Sequence, residues 1–226
     1  MKTHQEDTIK RYSERLAKFG YDPRSLGWNK GRQTIRFTIL AEMGELQNSS
    51  VLDVGCGFGD LYGYLEKTGV NVNYTGCDLN PDLIAIAKQK YSGPNFIVGD
   101  VEEVRGSFDW VFATGVFEFK YPRMISLVRH TLAKMFHLAR KGAAADFISS
   151  YVEYKSKEGF HAHPEEIFTI AKRLSKRVAL RHDYMPYEFC IYIYKDSETN
   201  RRNVFSSFDK KIKEKFGSDE FFPLRE

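Results

Sequence analysis

Residues 51–60 read Val-Leu-Asp-Val-Gly-Cys-Gly-Phe-Gly-Asp, an apolar run of strand length that breaks into three glycines at alternate positions. Glycine after a buried strand permits a tight turn and a close approach of backbone to ligand. Gly55, Gly57 and Gly59 therefore predict a strand-to-helix turn at a carboxyl strand end, with amide groups open to a ligand. A lone glycine pattern is weak evidence, but here a second apolar run ends in Asp78 and a third in Asp100. A carboxylate at the position of Asp78 can accept hydrogen bonds from both hydroxyls of a ribose. A plain glycine-containing turn accounts for neither acid, so the segment predicts a site for a nucleoside cofactor.

A nicotinamide dinucleotide fits less well. Its fingerprint is G-x-G-x-x-G, whereas Leu61 and Tyr62 follow Gly59. A pyrophosphate also wants an unopposed helix N-terminus, and Asp60 places negative charge in that first turn.

Outward from the turn, β-branched runs alternate with helical periods, the pattern of a parallel sheet covered on both faces. Strands are expected near 50–54, 72–77, 95–99, 108–113 and 143–149, with helices near 59–68, 81–91 and 122–140. Asn80-Pro81 supplies a cap and a first-turn proline, and Gly69 closes the preceding helix. A helix follows from Pro164 to about Leu174. A hairpin then runs from Arg177 to Tyr194 around Met185-Pro186, alternating Phe189, Ile191 and Ile193 against Cys190, Tyr192 and Tyr194. Upstream, Thr3-His4-Gln5-Glu6 has the form of a capping box before a helix carrying Ile9, Tyr12, Leu16 and Phe19 on one face. Tyr21-Asp22-Pro23-Arg24 breaks it, 25–29 reads as loop, and a second helix carries Ile35, Phe37, Ile39 and Leu40 towards Met43. In the tail, Phe205, Phe208, Ile212 and Phe216 fall at helical spacing.

The expected fold is α/β: a doubly wound, mostly parallel seven-stranded sheet with an antiparallel last strand, two N-terminal helices and a C-terminal helical tail. It forms one domain over 1–226, with a helical cap at 1–45, a core at 50–194 and a tail at 195–226. The 226 residues, 42% hydrophobic and 28% charged, suit a folded core. The aromatic share of 15% suits a pocket for an organic molecule, because tyrosine has an apolar body and a polar tip. A net charge of +4 with acids and bases interleaved gives no footprint for nucleic acid. Three cysteines, Cys56, Cys77 and Cys190, lack metal-site spacing and read as reduced thiols of a cytoplasmic protein. The charged N-terminus does not read as a signal peptide, and no run approaches membrane-spanning length.

Motif by motif, the stretch from Val51 to Phe119 resembles the cofactor half of the class I, Rossmann-like S-adenosylmethionine-dependent methyltransferases. VLDVGCGFG resembles the first motif, which implies Asp53, Gly55, Cys56 and Gly57 beside the methionine part of the cofactor. YTGCDLN resembles the second, placing Asp78 on the ribose with Leu79 next to it. GDVEEV resembles the third, with Asp100 facing the adenine amino group and Val101 its ring. FDWVFATGVFEF resembles the fourth strand and the loop beneath the cofactor, including Thr114 and Gly115. The resemblance covers about 180 residues and implies S-adenosyl-L-methionine as cofactor, S-adenosyl-L-homocysteine as product and the antiparallel last hairpin. It leaves the acceptor open, since the family methylates small molecules, proteins, RNA and DNA. Thr114-Gly115-Val116-Phe117 stands where an Asn-Pro-Pro-Tyr tetrapeptide would mark amino methylation of nucleobases. Gly27-Trp28 with Gln33 to Phe37, and His182-Asp183-Tyr184 with Glu188-Phe189, look like a bacterial small-molecule branch.

The expected function is transfer of a methyl group to an O or N atom of a small polar or anionic metabolite. Alternatives are a protein or RNA acceptor, or a non-catalytic binding module with this fold. Ligands of open α/β sheets sit outside the carboxyl strand ends, which selects Glu118, Tyr151 and the 182–184 group. His182 is the first candidate for a base, because imidazole titrates near neutrality and Asp183 or Glu188 could orient it. Glu118 and Tyr184 join it as catalytic candidates. Tyr12, Trp28 and Arg36 could close over the site, with Arg36 or Lys30 available for a carboxylate. His161, His163 and Glu188 complete the substrate candidates; capping of a helix is the alternative role for His163. No spacing of histidines or cysteines fixes a metal. The 150–163 loop, with Gly159 as hinge, reads as a lid or a surface connection. The terminal helices could carry self-association.

Overall fold

In the computed structural model, residues 2–28 and 32–195 are described, together with Glu214. The chain begins with helix α1 (Lys2–Phe19), already helical through Thr3, so the expected capping box lies inside the helix instead of starting it. A 3-10 turn follows (Pro23–Leu26), in the stretch expected as loop. Asp22 accepts from the Arg24 amide, and Gly27 closes the turn in the left-handed region at φ 90°. Then come α2 (Gln33–Ala41), β1 (Ser49–Val54), α3 (Asp60–Lys67), β2 (Val72–Asp78), α4 (Pro81–Lys90), β3 (Asn95–Val98), a 3-10 turn (Val101–Glu103) and β4 (Phe108–Ala113). The remainder is α5 (Met124–Leu138), β5 (Ala139–Ile148), α6 (Pro164–Leu174), β6 (Val178–Met185) and β7 (Glu188–Tyr194).

The seven strands lie in the order β3-β2-β1-β4-β5-β7-β6. The pairs among β1 to β5 are parallel, and β7 is antiparallel to both β5 and β6. The register Cys77↔Val54↔Ala113 brings the ends of β2, β1 and β4 level, so the turns after them open at one edge. Each face has its own apolar layer. Leu52, Val111, Val128 and Ile167 belong to the layer under α5 and α6; Val51, Phe112, Leu61 and Ile84 belong to the layer under α2, α3 and α4. At about 25 cal/mol per Å² of apolar area, such layers on both sides are the main stabilising term.

One boundary departs clearly from expectation. The helix expected to 140 ends at Leu138, and β5 starts at Ala139 with no loop, four residues before the expected strand. Ala139 turns extended as it pairs with Phe108 at the start of β4, so sheet pairing overrides a helical period that continues in the sequence.

Helix α1 lies across the open strand edge. Asn80, the cap of α4, donates through Nδ2 to Ser13 Oγ at 2.9 Å and to the Ile9 carbonyl at 3.2 Å. Gln5 Nε2 donates to Asp100 at 2.8 Å, and Thr8 meets the Tyr121 hydroxyl at 3.0 Å. Among the described residues no helix is long and apolar enough to cross a membrane. The expected C-terminal helix falls outside the described residues apart from Glu214, which is helical.

Candidate active site

Gly55, Gly57 and Gly59 hold φ values of 72°, 54° and 74°, which explains three glycines at alternate positions. Close packing is the second reason, since a Cβ on Gly55 would come within 2.6 Å of Val116. Four amides of the turn, those of Gly55, Cys56, Gly57 and Gly59, are engaged within the protein, more than the sequence expectation of open amides allowed. Gly55 and Cys56 both donate to the Cys77 carbonyl, and Gly59 to Cys56. Gly57 donates to Asp78 Oδ2 at 2.9 Å. The turn thus contributes close backbone approach and a fixed Asp78, whose Oδ1 accepts from the Asn80 amide at 2.8 Å.

A cavity opens between this turn and α1. Gly55 and Gly57 form one wall, and Asp78 and Leu79 the second. Asp100 and Val101, Thr114 and Gly115, and Tyr12 and Trp28 also line it. His4 and Thr8 of α1 also line it. Two expected cofactor residues do not. Asp53 is buried beneath the turn, accepting from the Tyr74 hydroxyl at 2.6 Å, with its other oxygen unpartnered. Burial pushes its carboxyl up to about 7. Cys56 is buried in the layer under α3 and α4, its Sγ placed where a Cβ on Gly76 would reach 2.7 Å.

The residues present fit a nucleoside cofactor. Asp78 offers a carboxylate at a strand end, Leu79, Val101 and Leu127 offer apolar walls, and Asp100 offers an acceptor beyond them. Asp100 already receives Gln5 and the Glu102 amide, so an amino group there would share it with α1. Replacing Asp78 with alanine should weaken S-adenosylmethionine binding by about 10- to 100-fold, the loss of one or two hydrogen bonds to a charged acceptor. Calorimetry tests this, and unchanged affinity would remove Asp78 from the cofactor site.

Next to Gly115 lies a buried charge network. Arg36 of α2, 8% exposed, donates to both oxygens of Glu188 at the start of β7. It also reaches Glu118 Oε1 at 3.3 Å and lies 3.9 Å from Asp146 Oδ2 on β5. The Trp28 ring covers the guanidinium at 3.8 Å. Asp146 in turn accepts from the Thr114 hydroxyl and from the Gly115 amide at 2.8 Å, which ties the network to the cavity wall. Three carboxylates surround one guanidinium. Burial, with Asp146 and Glu188 close by, pushes Glu118 up to about 7 against the opposing pull of Arg36 and Arg15. Burial also raises Glu188. The Tyr184 hydroxyl is buried without a hydrogen-bond partner, and its proton is held more tightly through burial and the nearby Asp146.

The structure therefore brings together Glu118, Tyr184, Arg36 and Glu188 of the expected residues, and adds Asp146. That acid was legible as a charge inside the apolar run Gly142-Ala-Ala-Ala-Asp146-Phe-Ile, where burial demands a partner. Arg36 is engaged by its carboxylates and is not available for an anionic acceptor. Lys30 falls outside the described residues.

The histidines lie elsewhere. His182 on the edge strand β6 packs 5.8 Å from the Phe189 ring and 6.4 Å from Tyr151, and does not line the cavity. Asp183 is held by Arg181 at 2.8 Å and does not orient it. His163 stands at the N-cap of α6 without a side-chain capping bond, its Nδ1 3.1 Å from Ser150 Oγ. His161 Nδ1 meets the Gly159 carbonyl at 3.2 Å, and the exposed Tyr151 bonds to Glu165. Asp60 pairs with Lys90 at 2.9 Å, so its charge opposes a pyrophosphate less than expected. Gly159 is no free hinge, because it bridges to Phe119, while Lys120 donates to the Glu158 carbonyl and Phe160 to that of Glu118.

The methyltransferase domain family matches residues 51–152. A protein of Mycobacterium tuberculosis that carries a methyltransferase name is 30% identical over 158 residues, covering 66% of this chain and 94% of that protein. A fatty-acid O-methyltransferase of Mycolicibacterium smegmatis is 29% identical over 96 residues, 38% of this chain and 35% of its own length. The magnesium protoporphyrin IX methyltransferase of Synechocystis PCC 6803, solved with S-adenosylmethionine bound, shares the fold with a TM-score of 0.61 over 84% of this chain and 96% of that one, at 18% identity.

Proposed function

Because the chain belongs to the S-adenosylmethionine-dependent methyltransferases, we propose that it methylates an O or N atom of a small polar acceptor that arrives with its proton, and that Glu118 removes that proton. The observation that carries this reading is the position of Glu118, which stands behind the cavity-lining Gly115 without lining the cavity itself and titrates near neutrality. A general base works best when its own titration lies near the working pH. S-adenosylmethionine supplies a methyl group on a positively charged sulfur, which becomes neutral as the group leaves. The chain's residues position and dry the acceptor: Trp28 and Tyr12 line the cavity, and Arg36 fixes Glu118 through its guanidinium.

The network also narrows the acceptor. Asp146, Glu118 and Glu188 give a surplus of hydrogen-bond acceptors over the donors of Arg36, Thr114 and Gly115. A hydroxyl or an amine supplies the missing donors, whereas a carboxylate or phosphonate adds like charge. A panel of metabolites presenting hydroxyl, amine, carboxylate and phosphonate groups, followed by release of S-adenosylhomocysteine, tests this. Turnover is expected on hydroxyl or amine compounds, and turnover confined to carboxylates or phosphonates would overturn the reading.

A further inference from the structure

The geometry points to Glu118 as the group by which this protein tells the methyl donor from its demethylated product, through charge instead of shape. The inference rests on the donor occupying the cavity between Asp78 and Thr114. Donor and product share the adenosine and the amino-acid part; they differ by one methyl group and one positive charge on sulfur.

The groups facing Glu118 come from every element around it. Arg36 reaches it from α2 at 3.3 Å. Asp146 of β5 and Glu188 of β7 add negative charge, and Arg15 of α1 opposes them. Tyr12 of α1 feels the Glu118 charge, and Tyr184 of β6 sits among the same carboxylates with its hydroxyl unpartnered. The loop beyond contributes main chain alone among its hydrogen bonds to this segment, the Phe160 amide on the Glu118 carbonyl and the Lys120 amide on Glu158. With all three carboxyls ionised against one guanidinium, the network carries a surplus of two negative charges. Such a surplus in a water-poor site is relieved by a proton or by a nearby cation.

Glu118 is the member positioned to take that proton. Glu188 is held by Arg36 through both oxygens, and Asp146 accepts from Thr114 and Gly115. Among the described residues Glu118 keeps a single long side-chain hydrogen bond, and burial already raises its titration to about 7. Its Oε1 lies 3.6 Å from where a Cβ on the cavity-lining Gly115 would stand. A sulfonium in the cavity supplies the cation and releases the proton. A neutral thioether does not, and leaves the proton in place. Donor affinity therefore depends on pH where product affinity does not, and the product is held less tightly once the charge is gone.

The test is calorimetry of the full chain with S-adenosylmethionine and S-adenosylhomocysteine from pH 5.5 to 8.5, repeated in buffers of different ionisation enthalpy. The ratio of the two affinities cancels the titrations that the ligands share. It should rise with pH by up to about tenfold per unit below 7 and then level off, with the donor releasing up to one proton near pH 6.5 and the product releasing none. Glu118→Gln should flatten the ratio across pH and lower it by about tenfold or more at pH 8, while Glu118→Asp should restore part of the slope. Equal pH dependence for both ligands, or an unchanged ratio in the glutamine variant, would overturn the inference. If neither nucleoside binds the wild-type chain, the placement of the donor fails and the inference with it. A glutamine variant that keeps full turnover with a flattened ratio would instead retire Glu118 as base and leave this role standing.

Discussion

With Glu118 replaced by glutamine, turnover at saturating S-adenosylmethionine should fall by about 10²- to 10⁴-fold, the usual contribution of a placed base. Glutamine keeps the length and the contact to Arg36, so the effect isolates the loss of a proton acceptor. The pH profile sharpens the test. In the wild type kcat/KM should rise with pH through about 7, the titration of Glu118 in the free protein, and then level off. In the loaded complex a cation nearby favours the ionised carboxyl, so the rise in kcat should sit at lower pH. The glutamine variant should show neither rise. Turnover within about threefold of wild type, with the rise retained, would assign the proton to another group.

Replacing Arg36 with alanine should cost about 3–5 kcal/mol of stability, because breaking a buried ion pair from one side strands the remaining charge. Here it strands Glu188 fully, deprives Glu118 of its hydrogen-bonding partner and brings Asp146 into uncompensated company. Urea unfolding measures the loss. The pH dependence has a definite sign. Glu118 binds its proton more tightly when folded, with its titration raised from 4.5 to about 7, and Glu188 shifts in the same direction. Both favour the folded state at low pH, and that advantage is lost as pH rises from about 4.5 towards 7. The deficit of the alanine variant should therefore deepen across this window. A second substitution, Glu118→Gln, should recover part of it at pH 8. A loss under about 1 kcal/mol at pH 8 would mean that water, and not Arg36, compensates these carboxylates.

Much of the fold was legible because its signals are local. The glycine turn, Asn80-Pro81 and the alternation in Glu188–Tyr194 each report a backbone conformation that the residues themselves require. The start of β5 was not, since nothing between Leu138 and Lys141 breaks a helix and only pairing with Phe108 decides the matter. Two of the amides expected to be open at the turn, those of Gly55 and Cys56, are taken by the Cys77 carbonyl, a neighbour that sequence spacing does not reveal.

The site shows the same division. Asp78, Asp100 and Gly115 follow from strand ends. The choice between His182 and its neighbours depends on which face of β6 each residue takes. Two residues apart on a regular strand, His182 and Tyr184 would share a face. The register shifts between Arg181 and Met185, so His182 meets Phe189 on one side while Tyr184 packs with the layer under α2 on the other. A bulge of this kind re-aims side chains without an obvious mark in the sequence. Asp146 was passed over for a different reason: its apolar run marks it as a buried charge, but its partners Thr114, Gly115 and Arg36 become visible only with the fold.

The segment from Glu158 to Ala162 is stitched to the Glu118 strip by main-chain bonds from Lys120 and Phe160, and to the end of β5 by bonds from Ser150 and Ala162. Backbone hydrogen bonds do not ask which side chains the residues carry. The exposed Tyr151 and Tyr154 and the polar residues between them and Glu158 are thus spared the task of holding the Glu118 strip. Substitutions along that exposed stretch leave the main-chain bonds to the Glu118 strip in place. A chain arranged in this way can change that surface without dismantling its chemistry.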